Sequence, residues 1–427
     1  MKKISNIPLF KAFRSTNYAL YFTGRSVSQF GTWMQRTAVI WVIYTITHSA
    51  FWIGATIFAE QFPSFLLSMA GGVAADRYDK FRVIKITQVL SMIQATLLAA
   101  LVVSNHMVVW AILVLSVILG IINAFDIPAR QSLIHQVITD EADLPNALSL
   151  TTAMASLAQL LGPALAGIVL NAFGASVCFL LNAASFGAVI VSVLLMTKLP
   201  AHVQKASGKK VGAQLTEGIT YLRDTPRIGL LIIMLAIVSL LVLPYNTVLP
   251  VFARDIFKGN ASTFGYITSF VGAGAVLGTI FIGTRKPGAN LRVLLLIATF
   301  IMAFGLIGFS QSRSFPLAMA FCVLAGFGTM AQFTVCNIVV QSESAPYIRG
   351  RVIGIMLMAL VGIMPIGSVM VGAISERIGA PATVLSQGII AIVIAIACAR
   401  TLAKTPPIAG KPVVANEAEE VIAENLA

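Results

Sequence analysis

Runs of about 20 mostly apolar residues recur along the whole chain, and they constrain its fold more than any other feature. A helix of about 20 residues crosses the hydrocarbon core of a bilayer, whereas a barrel strand needs about ten residues of alternating polarity. The runs therefore predict an all-α polytopic membrane protein with twelve transmembrane helices. The predicted spans are 17–46, 51–75, 83–104, 108–128, 146–170, 176–196, 227–250, 263–284, 291–310, 315–338, 350–374 and 381–402.

The composition agrees with lipid as the solvent, because 58% of the 427 residues are hydrophobic and 11% are charged. A soluble protein carries about 25% charged residues. The net charge of +13 comes from basic residues in short loops, so we expect no nucleic-acid partner. The four cysteines lie inside apolar runs without metal-ligand spacing, and the sequence contains no phosphate-binding loop or recognisable catalytic cluster. We expect no enzymatic activity, no metal and no cofactor.

The lysines and arginines are distributed unevenly among the loops, and this asymmetry orients the chain. With the N-terminus inside, 23 of the 29 basic residues lie in cytoplasmic segments and four lie outside. Basic loops of membrane proteins stay in the cytoplasm. The distribution therefore predicts a multi-pass inner-membrane protein with both termini and the central loop in the cytoplasm.

Two sets of residues recur at nearly constant offsets, which indicates an internal repeat. Three glycines return after 205 residues, and a loop segment returns after 210 to 211 residues. Parallel halves of this kind enclose a substrate site in one large transporter class. We expect pseudo-symmetric six-helix bundles at 1–196 and 227–402, a cytoplasmic linker with an interfacial helix at 197–226, and a disordered tail at 403–427. The recurring residues are Gly162, Gly167 and Gly174 with Gly367, Gly372 and Gly379, and Gly72 and Arg82 with Gly283 and Arg292.

Several segments resemble the major facilitator superfamily of transporters, over about residues 10 to 400. The segment Gly71-Gly72-Val-Ala-Ala-Asp76-Arg77-Tyr-Asp79-Lys80-Phe-Arg82 is similar to the superfamily signature between spans 2 and 3. The segments similar to the branch that includes the enterobactin exporter are Phe13-Arg-Ser, Gly24-Arg25-Ser-Val-Ser-Gln-Phe-Gly31-Thr-Trp33, Pro128-Ala-Arg130 and Leu161-Gly162-Pro163-Ala-Leu-Ala-Gly167. The chain departs from the exporter pattern at Ala158, where a glycine is usual, and the second-half loop lacks the acidic position.

The resemblance implies a gate that closes the cytoplasmic side. In the superfamily, the acidic residue after span 2 pairs with a basic residue near the end of span 4 and with the start of span 11. Carried over to this chain, Asp76 would meet Arg130 and the helix N-terminus near Gly350, where a helix dipole favours an anion. A solvated loop charge is the alternative for Asp76. The other residues of the implied gate are Gly72, Arg77 and Arg82.

Charges inside the hydrocarbon need a partner or water, so the few that occur mark candidate sites. Arg36 and Glu60 each lie twelve residues from the turn at His48, which places them at one depth on two antiparallel helices. We expect them to face each other or to share a water-filled cavity, with Glu60 as a proton carrier. A static ion pair is the alternative. Asp126 lies four residues before Arg130, which predicts a pair on one helix face or a further coupling residue.

Polar side chains inside the spans are candidates for the wall of a substrate cavity. For the uncharged ones, hydrogen bonding between helices is the alternative. Gly162 and Pro163 interrupt span 5 and predict either a bend or close helix packing. The cavity candidates are Arg25, Gln29, Trp33, Asn123, Gln159, Tyr245, Asn246, Gln332 and Asn337.

The superfamily resemblance implies a secondary active transporter that works by alternating access. Our leading hypothesis is a proton-coupled exporter, an antiporter, of a small amphipathic organic compound such as a siderophore or a drug. An importer of a small metabolite on the same fold is the alternative, followed by a non-transporting membrane receptor. We expect a monomer whose partners are the small-molecule substrate, protons and the lipid bilayer.

Overall fold

The computed structural model describes residues 8–197, 211–285 and 290–404, and the regular structure of these residues is helical. Residues 198–210 of the predicted linker and 405–427 of the predicted tail lie outside this part. The helices are α1 (Thr16–Thr47), α2 (Ala50–Arg77), α3 (Lys80–Val103), α4 (Val109–Val137), α5 (Leu144–Phe173), α6 (Ala175–Leu195), α7 (Val211–Asp224), α8 (Pro226–Ile256), α9 (Ala261–Gly283), α10 (Leu291–Gln311), α11 (Phe315–Glu343), α12 (Arg349–Ile378) and α13 (Ala380–Lys404).

Among the described residues, eleven helices are long and apolar enough to cross a membrane, namely α2 to α6 and α8 to α13. The first predicted span, α1, has 32 residues and is therefore long enough, but polar residues such as Arg25 and Arg36 lower its hydropathy. Protein shields α1, because Gly24 and Gly31 pack against side chains of α6. The predicted all-α polytopic fold is confirmed, and the polar first helix is covered by its neighbours.

Short polar turns define the ends of the first two helices. Ser15 and Ser49 cap α1 and α2 with their side-chain oxygens. His48 ends α1 with a φ of 50°, a left-handed conformation that reverses the chain within two residues. The turn therefore lies at His48, as predicted, twelve residues from both Arg36 and Glu60.

The recurring glycines make equivalent contacts in the two halves. Gly174 ends α5 with a φ of 81° and Gly379 ends α12 with a φ of 84°, a conformation that favours glycine. Gly54 of α2 approaches the backbone of α12, and Gly265 of α9 approaches the backbone of α5. A Cβ atom at either position would overlap a carbonyl oxygen. The helix pairs α2–α12 and α5–α9 are thus equivalent contacts between the halves.

Two helices of the second half contain irregular turns. A 3-10 turn covers Leu243–Val248 in α8, and a π turn covers Met358–Gly362 in α12. Side chains bind the carbonyl groups that such turns leave free. Gln387 donates to the carbonyl oxygen of Leu241 at 3.2 Å, and Ser239 donates to a carbonyl oxygen within the α12 turn. Polar side chains of the second half therefore complete its backbone hydrogen bonding.

The two halves are in contact at the end of the molecule that carries the turn at His48, which we call the hairpin end. There the Tyr44 hydroxyl of α1 donates a hydrogen bond to Asp255 of α8. The Ser49 hydroxyl, at the start of α2, donates one to Glu376 of α12. Side chains from both halves thus hold the hairpin end together.

The opposite end carries the linker helix α7 and is called the linker end. The contact between Phe65 of α2 and Gly362 of α12 lies in the middle of both helices. Nearer the linker end, a Cβ atom at Gly72, Gly283 or Gly350 would meet no atom within 4 Å. These three positions near the linker end therefore have open space beside them.

The linker helix α7 packs on the second half. Glu217 of α7 forms an ion pair of 2.5 Å with Arg351 at the start of α12. One turn further along α12, Ile355 packs against Gly218. The linker segment thus contains a helix, and this helix is packed against α12.

Candidate functional site

A polar cavity of about 50 Å³ lies inside the first half, among α1, α2, α3, α4 and α6. A buried water needs roughly 10–15 Å³, so the cavity has room for a few waters and excludes a whole organic substrate. Within the described ranges, no group of His, Cys, Asp or Glu side chains could hold a metal. The lining residues are Arg25, Thr32, Gln35, Arg36, Val39, Glu60, Gln88, Ser91, Gln94, Ser116, Leu119, Asn123, Asp126, Arg130, Asn182 and Phe186.

Arg36 and Glu60 form an ion pair in the wall of this cavity, the contact that their spacing predicts. Nη2 of Arg36 donates to Oε1 of Glu60 at 2.6 Å, and the guanidinium lies 5.4 Å from the centre of the Trp33 ring. The side chains are 35% and 16% exposed, so the pair is in contact with the cavity. Oε2 of Glu60 has no hydrogen-bond donor among the described residues, which leaves this oxygen free to accept a proton.

Asp126 is buried in the same wall and is fully hydrogen-bonded. Its Oδ2 accepts from Arg130 at 2.7 Å, across one turn of α4. Its Oδ1 accepts from Thr87 at 2.8 Å and from Gln88 at 2.9 Å. The predicted pair on one helix face is therefore present. A proton on Asp126 would displace one of these donors, which makes Asp126 a weaker candidate for proton transfer than Glu60.

Arg25 is the third arginine of the cavity wall. It is half-buried and lies close enough to Arg130 and Asp126 to interact with them electrostatically. No ion pair and no side-chain hydrogen bond of Arg25 occurs within residues 8–197, 211–285 and 290–404. Three arginines therefore face two carboxylates, and the cavity wall carries one positive charge in excess.

A chain of buried amide side chains closes the cavity, and sequence reasoning missed it. Asn182 of α6 donates to Gln35 of α1 at 2.8 Å, Gln35 donates to Gln94 of α3 at 3.0 Å, and Gln94 donates to a backbone carbonyl of α4. One signal was present, because Gln88, Ser91 and Gln94 recur every three residues in an apolar helix. That spacing indicates one polar face on α3.

The implied cytoplasmic gate is not assembled in this structure. Asp76 is exposed and has no ion pair within the part of the chain that the structure describes, and Arg130 pairs with Asp126 instead. Gly350 has open space around it. The gate therefore stays a prediction for a closed state. The other implied gate residues lie at the linker end, with Gly72 half-buried and Arg77 and Arg82 exposed.

Of the predicted cavity residues in the first half, Arg25 and Asn123 line the cavity. The other three are half-buried side chains outside its wall, and their part in a substrate cavity between the halves stays a prediction. Trp33 lies behind Arg36 on α1, where its ring faces the guanidinium. These three residues are Gln29, Trp33 and Gln159.

The predicted substrate-cavity residues of the second half lie outside this small cavity, which is inside the first half. Tyr245 and Gln332 are packed in the protein interior, with 2% and 1% of their surface exposed. Asn246 donates to a carbonyl of its own helix, and Asn337 accepts a hydrogen bond from Gln341 one turn along α11. The role of these four residues in a substrate cavity between the halves stays a prediction.

Helix α5 continues through Gly162 and Pro163 without an interruption. A Cβ atom at Gly162 would lie 2.6 Å from the Cβ of Trp33, so this glycine permits the close approach of α1. Close packing is therefore the role of Gly162 in this conformation, and a bend that works as a hinge stays a prediction.

The fold and its buried charges define the class, which is that of a major facilitator transporter. The crystal structure of the nucleoside transporter NupG aligns with a TM-score of 0.71 and 18% identity, over 91% of this chain and all of that one. The sequence profile of the transmembrane secretion effector family matches residues 8–424, and the chain belongs to this family. The predicted superfamily is confirmed, and the protein is a multi-pass membrane transporter of a small molecule rather than an enzyme.

Two curated relatives match over most of their length. The staphyloferrin A transporter of Staphylococcus aureus (strain NCTC 8325 / PS 47) is 25% identical over 380 residues, which cover 88% of this chain and 94% of the relative. The multidrug efflux pump Tap of Mycolicibacterium fortuitum is 23% identical over 354 residues, which cover 81% of this chain and 86% of the relative. The predicted transport of small organic compounds agrees with both.

Proposed function

We propose that the protein exports a small amphipathic organic compound in exchange for protons, as a monomer in the inner membrane. The names of the relatives support this function, because one transports staphyloferrin A and another is a multidrug efflux pump. The excess of basic residues near the linker end supports a cytoplasmic position for that end and for both termini. The substrate then enters from the cytoplasm through the linker end.

The Arg36–Glu60 pair at the cavity wall is the observation that carries proton coupling. A proton on Glu60 removes the negative charge that holds Arg36, so the pair has a joined and a released state. Waters in the cavity provide a path for the proton, since polar side chains from five helices line it. Buried ionisable residues in a transporter bundle mark proton pathways for this reason.

The gate belongs to the same proposal. When the linker end closes, Asp76 approaches Arg130 and the start of α12 near Gly350. Arg130 then leaves its ion pair with Asp126 and pairs with Asp76 instead. Asp126 is thereby without its arginine and becomes a further candidate for proton coupling. The two bundles, 1–196 and 227–402, rock against each other around this exchange.

Membrane vesicles of both orientations test direction and driving force. We expect inside-out vesicles with an acidified lumen to accumulate radiolabelled erythromycin or staphyloferrin A, and an uncoupler to abolish the accumulation. Vesicles from cells that lack the protein are the control. Accumulation in right-side-out vesicles alone would assign import instead. If neither orientation accumulated either compound, and if metabolite profiles of deleted and overproducing cells were identical, the proposed export would be wrong.

A further inference from the structure

The charges of the cavity do not balance, and the excess belongs to Arg25. Arg36 is neutralised by Glu60, and Arg130 by Asp126. Arg25 has no carboxylate of its own in the described part of the chain. A charge inside a membrane protein without a counterion is costly, and it persists where water or a ligand compensates it.

The unsatisfied hydrogen-bonding groups of the cavity are mainly donors. Nε of Arg36 and Nη1 of Arg130 are buried without a partner, and among the buried side-chain atoms of the cavity wall only Oε1 of Gln88 is an unpartnered acceptor. Guanidinium N–H groups bind carboxylates and phosphates in a fixed planar geometry. The guanidinium groups of the site therefore suit an anionic group, and an ammonium group would have to compete with three arginines for Oε2 of Glu60.

The position of Arg25 makes it reachable from the linker end. It lies nine residues from the start of α1 at Thr16, which is about 14 Å at 1.5 Å per residue. Gly72 and Gly350, near that end, have open space beside them. The cavity volume of about 50 Å³ has room for a carboxylate but not for a whole organic molecule. The remainder of such a molecule would lie in the open space between the halves.

We propose that Arg25, beside Arg36 and Arg130 in the cavity wall, forms a subsite for an anionic group of the transported compound. The inference rests on the proposed export function and names its substrate class, which is organic anions with an apolar body. A membrane potential that is negative inside would favour the outward movement of such an anion.

Equilibrium dialysis of the full-length protein in phosphatidylcholine nanodiscs tests the subsite with two probes of one shape and opposite charge. The probes are 2-naphthoate and 2-naphthylmethylammonium. We expect 2-naphthoate to bind at least about tenfold more tightly, the scale set by one charge-assisted hydrogen bond. Arg25→Gln should remove this difference, and Arg25→Lys should keep it within about threefold because the charge remains. Arg377→Gln, which removes an exposed positive charge at the hairpin end, should change nothing.

Three outcomes would overturn the subsite. Equal binding of the two probes, or tighter binding of the ammonium probe, would show that the cavity does not select anions. An anion preference that survives in Arg25→Gln would assign it elsewhere. Loss of 2-naphthoate binding when phosphatidylglycerol replaces phosphatidylcholine would assign the arginines to a lipid headgroup. None of these results bears on export itself. The vesicle assay measures export separately, whatever charge the substrate carries.

Discussion

The two halves of the transporter share backbone contacts but differ in buried chemistry. Gly120 of α4 packs against the carbonyl oxygen of Glu60, and Gly326 of α11 packs against the carbonyl oxygen of Val271. Glu60 and Val271 therefore hold equivalent positions, 211 residues apart, which is also the offset of the recurring loop glycines. Where the first half has a membrane-embedded carboxylate, the second half has a branched hydrocarbon.

The same comparison extends along α4 and α11. The two packing glycines are 206 residues apart, and this offset relates Asp126 to Gln332 and Arg130 to Cys336. Gln332 and Cys336 are 1% and 2% exposed and are uncharged. Three of the four residues in the ion pairs of the first-half cavity, namely Glu60, Asp126 and Arg130, thus correspond to neutral positions in the second half. The difference indicates that the second half is a packed scaffold against which the charged half works.

The largest effect that we expect is a loss of stability when Asp126 is replaced by glutamine, the residue type of its second-half counterpart Gln332. Asp126→Gln leaves Arg130 without its carboxylate in a buried site, which should lower the free energy of unfolding by about 3–5 kcal/mol. The matched control is Gln332→Leu. It should lower the free energy of unfolding by less than about 1 kcal/mol, because Nε2 of Gln332 has no hydrogen-bond partner in the described part of the chain. Reversible unfolding in mixed micelles measures both. Equal losses would break the comparison between the halves.

The shared backbone contacts predict a smaller, symmetric effect. Gly54→Ala and Gly265→Ala each place a Cβ atom against a carbonyl oxygen of the facing helix, so each should cost about 1–3 kcal/mol by overpacking. The same unfolding assay applies. A loss at one glycine but not at the other would show that the two contacts between the halves are not equivalent.

The spans, the turn at His48 and the Arg36–Glu60 contact follow from local spacing, which is why the sequence predicted them. Helix length and depth depend on residues counted along one segment. The amide chain of Gln35, Gln94 and Asn182 joins three helices that are distant in sequence, and its partners follow only from packing.

Two features of the candidate site depend on more than local spacing. Tyr245 and Gln332 are polar, but the rotation of their helices turns them into the packed interior of the second half. The contact of Asp76 with Arg130 depends on the conformation of the whole bundle, and a sequence does not specify which of two conformations is populated.

The smallest effect that we expect concerns the hydrogen bonds that hold the hairpin end. Tyr44→Phe removes the hydrogen bond to Asp255 and should loosen the hairpin end. The probe is the cysteine of an Ala261→Cys variant, labelled with a membrane-impermeant maleimide. We expect its labelling rate to rise by about two- to tenfold when Tyr44→Phe is added. The native cysteines of the described residues are buried and give a low background. Tyr266→Phe, at an exposed tyrosine of α9, is the control. An unchanged labelling rate would show that the Tyr44 hydrogen bond does not hold the hairpin end closed.

Proton exchange in acid-loaded proteoliposomes tests most directly whether the charged half couples transport. The compound that the vesicle assay identifies is added, and a pH-sensitive dye reports the protons that leave. Glu60→Gln is compared with Glu343→Gln, because Glu343 is also an ion-paired acid, bound to Arg227 at 2.9 Å, and the two side chains are 16% and 19% exposed. The account predicts that wild type and Glu343→Gln exchange protons and that Glu60→Gln does not. Full proton exchange in Glu60→Gln would contradict it.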